Sequence, residues 1–234
     1  MWPHVLTIAV GDTVVVVGTD DDPLAALLQP MRVPSDEHAP DTAARIDFGV
    51  ELHPPRPAHR AAPRSLPTFQ HGSRVIGRAG DVDALRDGVL RTLASLAVPV
   101  PAGQVRLTGL PLLHADGVEL APPAAATVAH RRLTTRARRP LYVSSVRVDP
   151  TTLLATIDAP LGAATDPLVV PLRTWWLDGD GVEAAQPATL GRLVALAAHR
   201  TVDPLRGPER HSMQLAALVQ LVDRLPPAEG RFGT

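Results

Sequence analysis

The chain has 234 residues, a net charge of −1 at pH 7 and no cysteine, and all 23 of its Lys+Arg residues are arginine. The missing cysteine excludes disulfides and cysteine-ligated zinc. The missing lysine removes the side chain that reaches the β- and γ-phosphates in a P-loop. The near-neutral charge provides no overall field that would attract nucleic acid. A GC-rich coding background is one explanation of arginine without lysine.

The sequence carries no signal for export or membrane insertion. The first ten residues are apolar but lack a basic region and a small-residue cleavage site. No apolar run reaches the roughly 18 residues that a membrane-spanning helix needs. We therefore expect a soluble cytoplasmic protein without a membrane partner.

The first hundred residues predict a β-rich part with one main helix. Residues 5–10 and 13–18 are β-branched runs joined by a Gly-Asp turn, which predicts a hairpin. Three aspartates followed by Pro23 are typical of a helix start and predict a short helix at 24–28. Further strands are predicted at 46–52, 68–71 and 73–76. The main helix is predicted at 81–96, with Asp81 as its N-cap and an apolar face.

A Pro-rich break at 98–101 separates the second half of the chain. This half alternates short apolar runs with three helical patterns. Strands are predicted at 105–110, 118–120, 141–148, 153–157, 168–171 and 173–177. Helices are predicted at 127–138, 187–199 and 210–225.

Three segments of the second half carry a family resemblance. They are residues 119–130 (ELAPPAAATVAH), 141–150 (LYVSSVRVDP) and 221–233 (LVDRLPPAEGRFG). In this order they resemble the HPr kinase/phosphorylase-like P-loop proteins, in the small form found beside peptide-modification genes. The resemblance implies an α/β fold, with a β-rich N-terminal part (1–100) packed on a remnant P-loop-kinase core with C-terminal helices (101–234).

The Gly-rich loop of that family corresponds to residues 122–130, where the phosphate-binding features are missing. Proline has no N–H to donate, and alanine resists the positive φ that such a loop requires. The lysine position falls at Val128 or Ala129, and the magnesium-binding hydroxyl falls at Ala129 or His130, depending on the alignment. The degenerate positions are Pro122, Pro123, Ala126, Val128, Ala129 and His130.

The acidic pair of the family corresponds to Ser144-Ser145, or to Ser145-Val146 in the other alignment. A hydroxyl binds Mg²⁺ far more weakly than a carboxylate and cannot act as the general base. The resemblance therefore implies a pseudokinase with no catalytic residues, no nucleotide cofactor and no bound metal. The question of enzymatic activity stays open, because a phosphotransferase that uses Arg131 or Arg132 for phosphate is an alternative.

An arginine cluster and a tryptophan pair are the candidate partner-binding residues. On a helix, residues 132, 136 and 139 share a face, which favours docking of an acidic peptide, a phosphate or a partner protein. A solvated helix face is the alternative. Trp175 and Trp176 point to opposite faces of a predicted strand, so we expect one in the core and the other exposed on a contact surface. Both rings belong to the core if a helix covers each face of the strand. The assigned residues are Arg131, Arg132, Arg136, Arg139 and Trp175.

Two further patterns have simple structural interpretations. His114 and Asp116 could form an acid–base pair, but Asp-Gly after a strand is more simply a hairpin turn. Residues 178–181 (DGDG) resemble the start of a calcium loop whose other ligands are absent, which favours a tight turn. The scattered histidines have no metal-ligand spacing.

From these residues we predict a non-catalytic HPr-kinase-like protein that binds a protein or peptide partner. The family context suggests a ribosomal-peptide or other natural-product tailoring pathway, with a modification enzyme or its precursor peptide as the partner. The alternatives are a phosphotransferase with a non-standard nucleotide site and a structural protein that assembles as a homo-oligomer. Nucleic acid is not expected as a partner, because the arginines are not interleaved with aromatic residues.

Overall fold

A computed structural model describes residues 2–10, 13–33, 45–51, 66–71, 74–78, 81–122, 139–143, 145–177, 191, 194, 198 and 208–228. The chain is a mixed α/β protein in which two β-sheets dominate. The helices with described bounds are α1 (Asp22–Leu28), α2 (Val82–Ala97) and α3 (Pro208–Arg224), and a 3-10 turn covers Gln29–Met31. Within the described ranges, no helix is both long enough and apolar enough to cross a membrane.

The N-terminal sheet has five strands in the order β1-β2-β3-β4-β5. The strands are β1 (His4–Val10), β2 (Thr13–Thr19), β3 (Arg45–Glu51), β4 (Thr68–His71) and β5 (Arg74–Arg78). β2 and β3 pair in parallel and the other neighbours pair antiparallel. Both predicted hairpins and the predicted third strand are confirmed.

One face of this sheet forms the N-terminal core. Strand alternation sends Ile8, Val17 and Val50 to the inner face, where all three are fully buried. α1 and α2 contribute buried leucines to the same core. The predicted helix at 81–96 is confirmed, and the Asp81 carboxylate accepts a hydrogen bond from the Ala84 amide at 3.1 Å.

The second sheet has seven strands in the order β6-β10-β11-β12-β8-β7-β9. The strands are β6 (Val105–Thr108), β7 (Leu110–His114), β8 (Gly117–Ala121), β9 (Arg139–Pro140), β10 (Ser145–Asp149), β11 (Leu154–Ile157) and β12 (Leu168–Trp175). Only the β12–β8 pair among these neighbours is parallel.

Three sequence predictions differ from this sheet. The single strand predicted at 105–110 is two strands, because the chain leaves β6 after Thr108 and enters β7 at the other side of the sheet. The strand predicted at 141–148 begins only at Ser145. The two pieces predicted at 168–171 and 173–177 are one strand, β12, because the irregularity near Leu172 shifts the pairing with β8 without ending the strand.

The seven-stranded sheet is strongly curled. In the strand order of the sheet, β9 and β10 stand five places apart, but along the chain only residues 141–144 join them. Such a connection spans at most about 18 Å, and β7 contacts β10 directly. One face of the curled sheet is covered by α3, whose Leu218 and Leu221 are fully buried in the second core.

α2 lies between the two sheets. The backbone of Gly88 approaches Tyr142 so closely that an added Cβ would lie 2.5 Å from the Tyr142 carbonyl oxygen. On the same helix, the Arg91 guanidinium donates to the Asp158 carbonyl at 3.0 Å, and the Leu90 carbonyl accepts from the Leu161 amide at 3.0 Å. Burial, with the nearby Asp81 carboxylate, raises the pKa of Tyr142 to about 12. The division at residue 100 stays a prediction, but α2 connects the parts on either side of it.

Two predicted helices lie wholly or mostly outside the residues that the structure describes. The helix predicted at 127–138 lies outside the described residues. Of the helix predicted at 187–199, only Gly191, Val194 and Ala198 are described, and all three have helical backbone. The helix predicted at 210–225 is confirmed as α3.

Candidate functional site

β8 leads into residues 122–130, the segment that the resemblance aligns with a phosphate-binding loop. It ends at Ala121 and is followed by Pro122, which is buried. A phosphate-binding loop depends on successive backbone N–H groups, and Pro122 has none. The other degenerate positions, Pro123, Ala126, Val128, Ala129 and His130, lie outside the described residues. Pro122, the described residue of the segment 122–130, therefore offers no backbone N–H to a phosphate.

Ser145, which the resemblance aligns with an acidic pair, lies at a different place in the sheet. Ser145 is buried and begins β10, opposite Thr108 of β6. β10 runs in the same direction as β8, because two antiparallel pairings and one parallel pairing connect them. Ser145 is therefore at the amino end of its strand and Pro122 follows the carboxyl end of β8. In open α/β sheets, ligands bind at the carboxyl ends of the strands, so the described strands do not bring these two positions together.

Arg139 is the described member of the arginine cluster. It is exposed at the start of β9, the edge strand that pairs with Leu112 and Leu113 of β7. Arg131, Arg132 and Arg136 lie outside the described residues. Among the described residues, the cluster is therefore represented by one accessible arginine at an edge of the seven-stranded sheet.

The two tryptophans are on opposite sides of their strand, but the assignment of Trp175 to a partner surface needs correction. Trp175 is fully buried in the second core, and its indole Nε1 donates to the Leu225 carbonyl at 2.8 Å. Its side chain therefore reaches no partner in this fold. Trp176 is the partly exposed ring, and its Nε1 donates to Glu119 Oε1 at 2.7 Å.

Glu119 is a polar residue of the sheet that sequence reasoning missed. Its carboxylate is buried and contacts His114 Nε2 at 3.3 Å in addition to the Trp176 indole. The two-residue turn of the β7–β8 hairpin places His114 and Glu119 diagonally on one face. The spacing of His114 and Glu119 around the hairpin turn is the sequence signal that could have predicted their contact. The expected hairpin turn is confirmed, and Asp116 pairs with Arg173 instead of His114.

The other buried carboxylates are also engaged. Asp21 forms two hydrogen bonds with the Arg86 guanidinium, at 2.9 and 3.0 Å, and these bonds raise the pKa of Arg86. Asp158 accepts from Arg147 at 2.5 Å. Together with Glu119, these are the buried carboxylates of the described chain. Each is held by cationic or indole donors, which suits a structural role.

The described residues include no group of three or more His, Asp or Glu side chains that could hold a metal ion. Comparisons of the chain with protein-family models, with curated proteins and with solved structures found no match. The grounds for a function are therefore the chain's own residues and the resemblance of residues 119–130, 141–150 and 221–233.

Proposed function

We propose that the protein is a non-catalytic, HPr-kinase-like protein that docks an acidic peptide or an acidic segment of a partner protein. The observation that carries the proposal is the buried Pro122 directly after β8. A chain that needed to bind a nucleotide there would present backbone donors and a lysine, and this chain presents a proline and contains no lysine.

The buried carboxylates support the same proposal. Phosphoryl transfer needs carboxylates to hold Mg²⁺ and to position the nucleophile. Asp21 and Asp158 each accept hydrogen bonds from an arginine. Glu119 contacts a histidine and accepts a hydrogen bond from an indole. In both alignments with the family, Ser145 takes a position of the acidic pair, and its hydroxyl is a weak magnesium ligand. These features favour a binding protein over a phosphotransferase.

The arginine cluster supplies the docking chemistry. Five of the nine residues from 131 to 139 are arginine, and Arg139 is exposed at a sheet edge. Arginine binds carboxylates through two parallel hydrogen bonds, which gives both affinity and orientation. A precursor peptide or modification enzyme of a natural-product tailoring pathway, with an acidic segment, is the partner that the resemblance suggests.

The direct test is fluorescence anisotropy with a labelled peptide rich in Asp and Glu and with its Asn/Gln counterpart. We expect the acidic peptide to bind with a Kd on the order of 10 μM and the neutral peptide to bind at least tenfold more weakly. The triple variant Arg131→Glu, Arg132→Glu, Arg136→Glu should lose this difference. The control Arg32→Glu changes an exposed arginine in the N-terminal part and should leave binding unchanged.

Two results would contradict the docking proposal. One is equal affinity of the native protein for the acidic and neutral peptides. The other is a triple variant that still binds the acidic peptide as tightly as the native chain. Raising the salt concentration should weaken the acidic complex, since screening acts on exposed charge pairs.

A further inference from the structure

We draw no further inference here: the strongest candidate, the uncharged outer face of the β1–β2 hairpin around Trp2 and Val5, is limited to two strands, and nothing in the structure shows what covers it.

Discussion

Replacement of Asp21 with alanine is expected to lower the free energy of unfolding by about 3–5 kcal/mol, the range for breaking one partner of a buried ion pair. Asp21 is fully buried. Its Oδ2 accepts from the Leu24 amide at 3.0 Å and from Arg86 Nε at 2.9 Å, and its Oδ1 accepts from the other arm of Arg86 at 3.0 Å. One carboxylate thus caps α1 and connects it to α2. Its removal leaves the Arg86 guanidinium without its main partner.

The neighbouring residue provides a matched control for this substitution. The Asp22 side chain is 88% exposed, and among the described residues its ion-pair partner is a partly exposed His4. Asp22→Ala should therefore cost less than about 1 kcal/mol. Urea denaturation followed by circular dichroism measures both variants. Equal losses for Asp21→Ala and Asp22→Ala would contradict the proposed connection between the helices.

Replacement of Gly88 with alanine is expected to destabilise the protein by about 1–3 kcal/mol, as overpacking of a core does. Alanine normally favours a helix interior over glycine by roughly 0.5–1 kcal/mol. Here the new Cβ would lie 2.5 Å from the Tyr142 carbonyl oxygen and 2.7 Å from Tyr142 Cβ. The clash with backbone cannot be relieved by a side-chain rotation, so α2 or the segment before β10 must move.

Gly191 is the control for this prediction. It has helical backbone, and an added Cβ meets no atom of the described part of the chain within 4 Å. Gly191→Ala should therefore leave stability unchanged or raise it by up to about 1 kcal/mol. Thermal and chemical denaturation of the two variants give the comparison. A Gly88→Ala protein as stable as the Gly191→Ala protein would show that α2 does not pack tightly against Tyr142.

The local elements of the fold follow from the sequence because their signals are local. β-branched runs around a tight turn gave the β1–β2 hairpin. Aspartate caps marked the starts of α1 and α2, where Asp21 and Asp81 accept hydrogen bonds from amides three residues later. Burial of Leu85, Val89 and Leu93 matches the predicted apolar face of α2.

The long-range pairing could not be predicted in the same way. Nothing near Thr108 indicates that β6 and β7 belong to distant positions of one curled sheet, because strand order depends on partners far along the chain. For the same reason, the sequence could not show which of the two rings, Trp175 or Trp176, enters the core. The register of β12 against β8, with its shift between Leu172 and Thr174, decides which ring enters the core.

The candidate site was predictable only in part. The absence of glycine and lysine near Pro122 is visible in the sequence, and the structure adds that β8 ends against a buried proline. The engagement of Glu119 with His114 and Trp176 needs three strands to be in place. Composition shows which side chains exist, but only the assembled sheet shows which of them are already occupied.

The proposed function requires that this chain binds a partner and not a nucleotide. Isothermal titration calorimetry of the full chain with Mg-ATP tests it most directly. The proposal predicts no saturable heat up to about 1 mM nucleotide, a ligand free energy weaker than about −4 kcal/mol. Saturable binding of Mg-ATP with a Kd at or below about 100 μM, close to −5.5 kcal/mol, would contradict it.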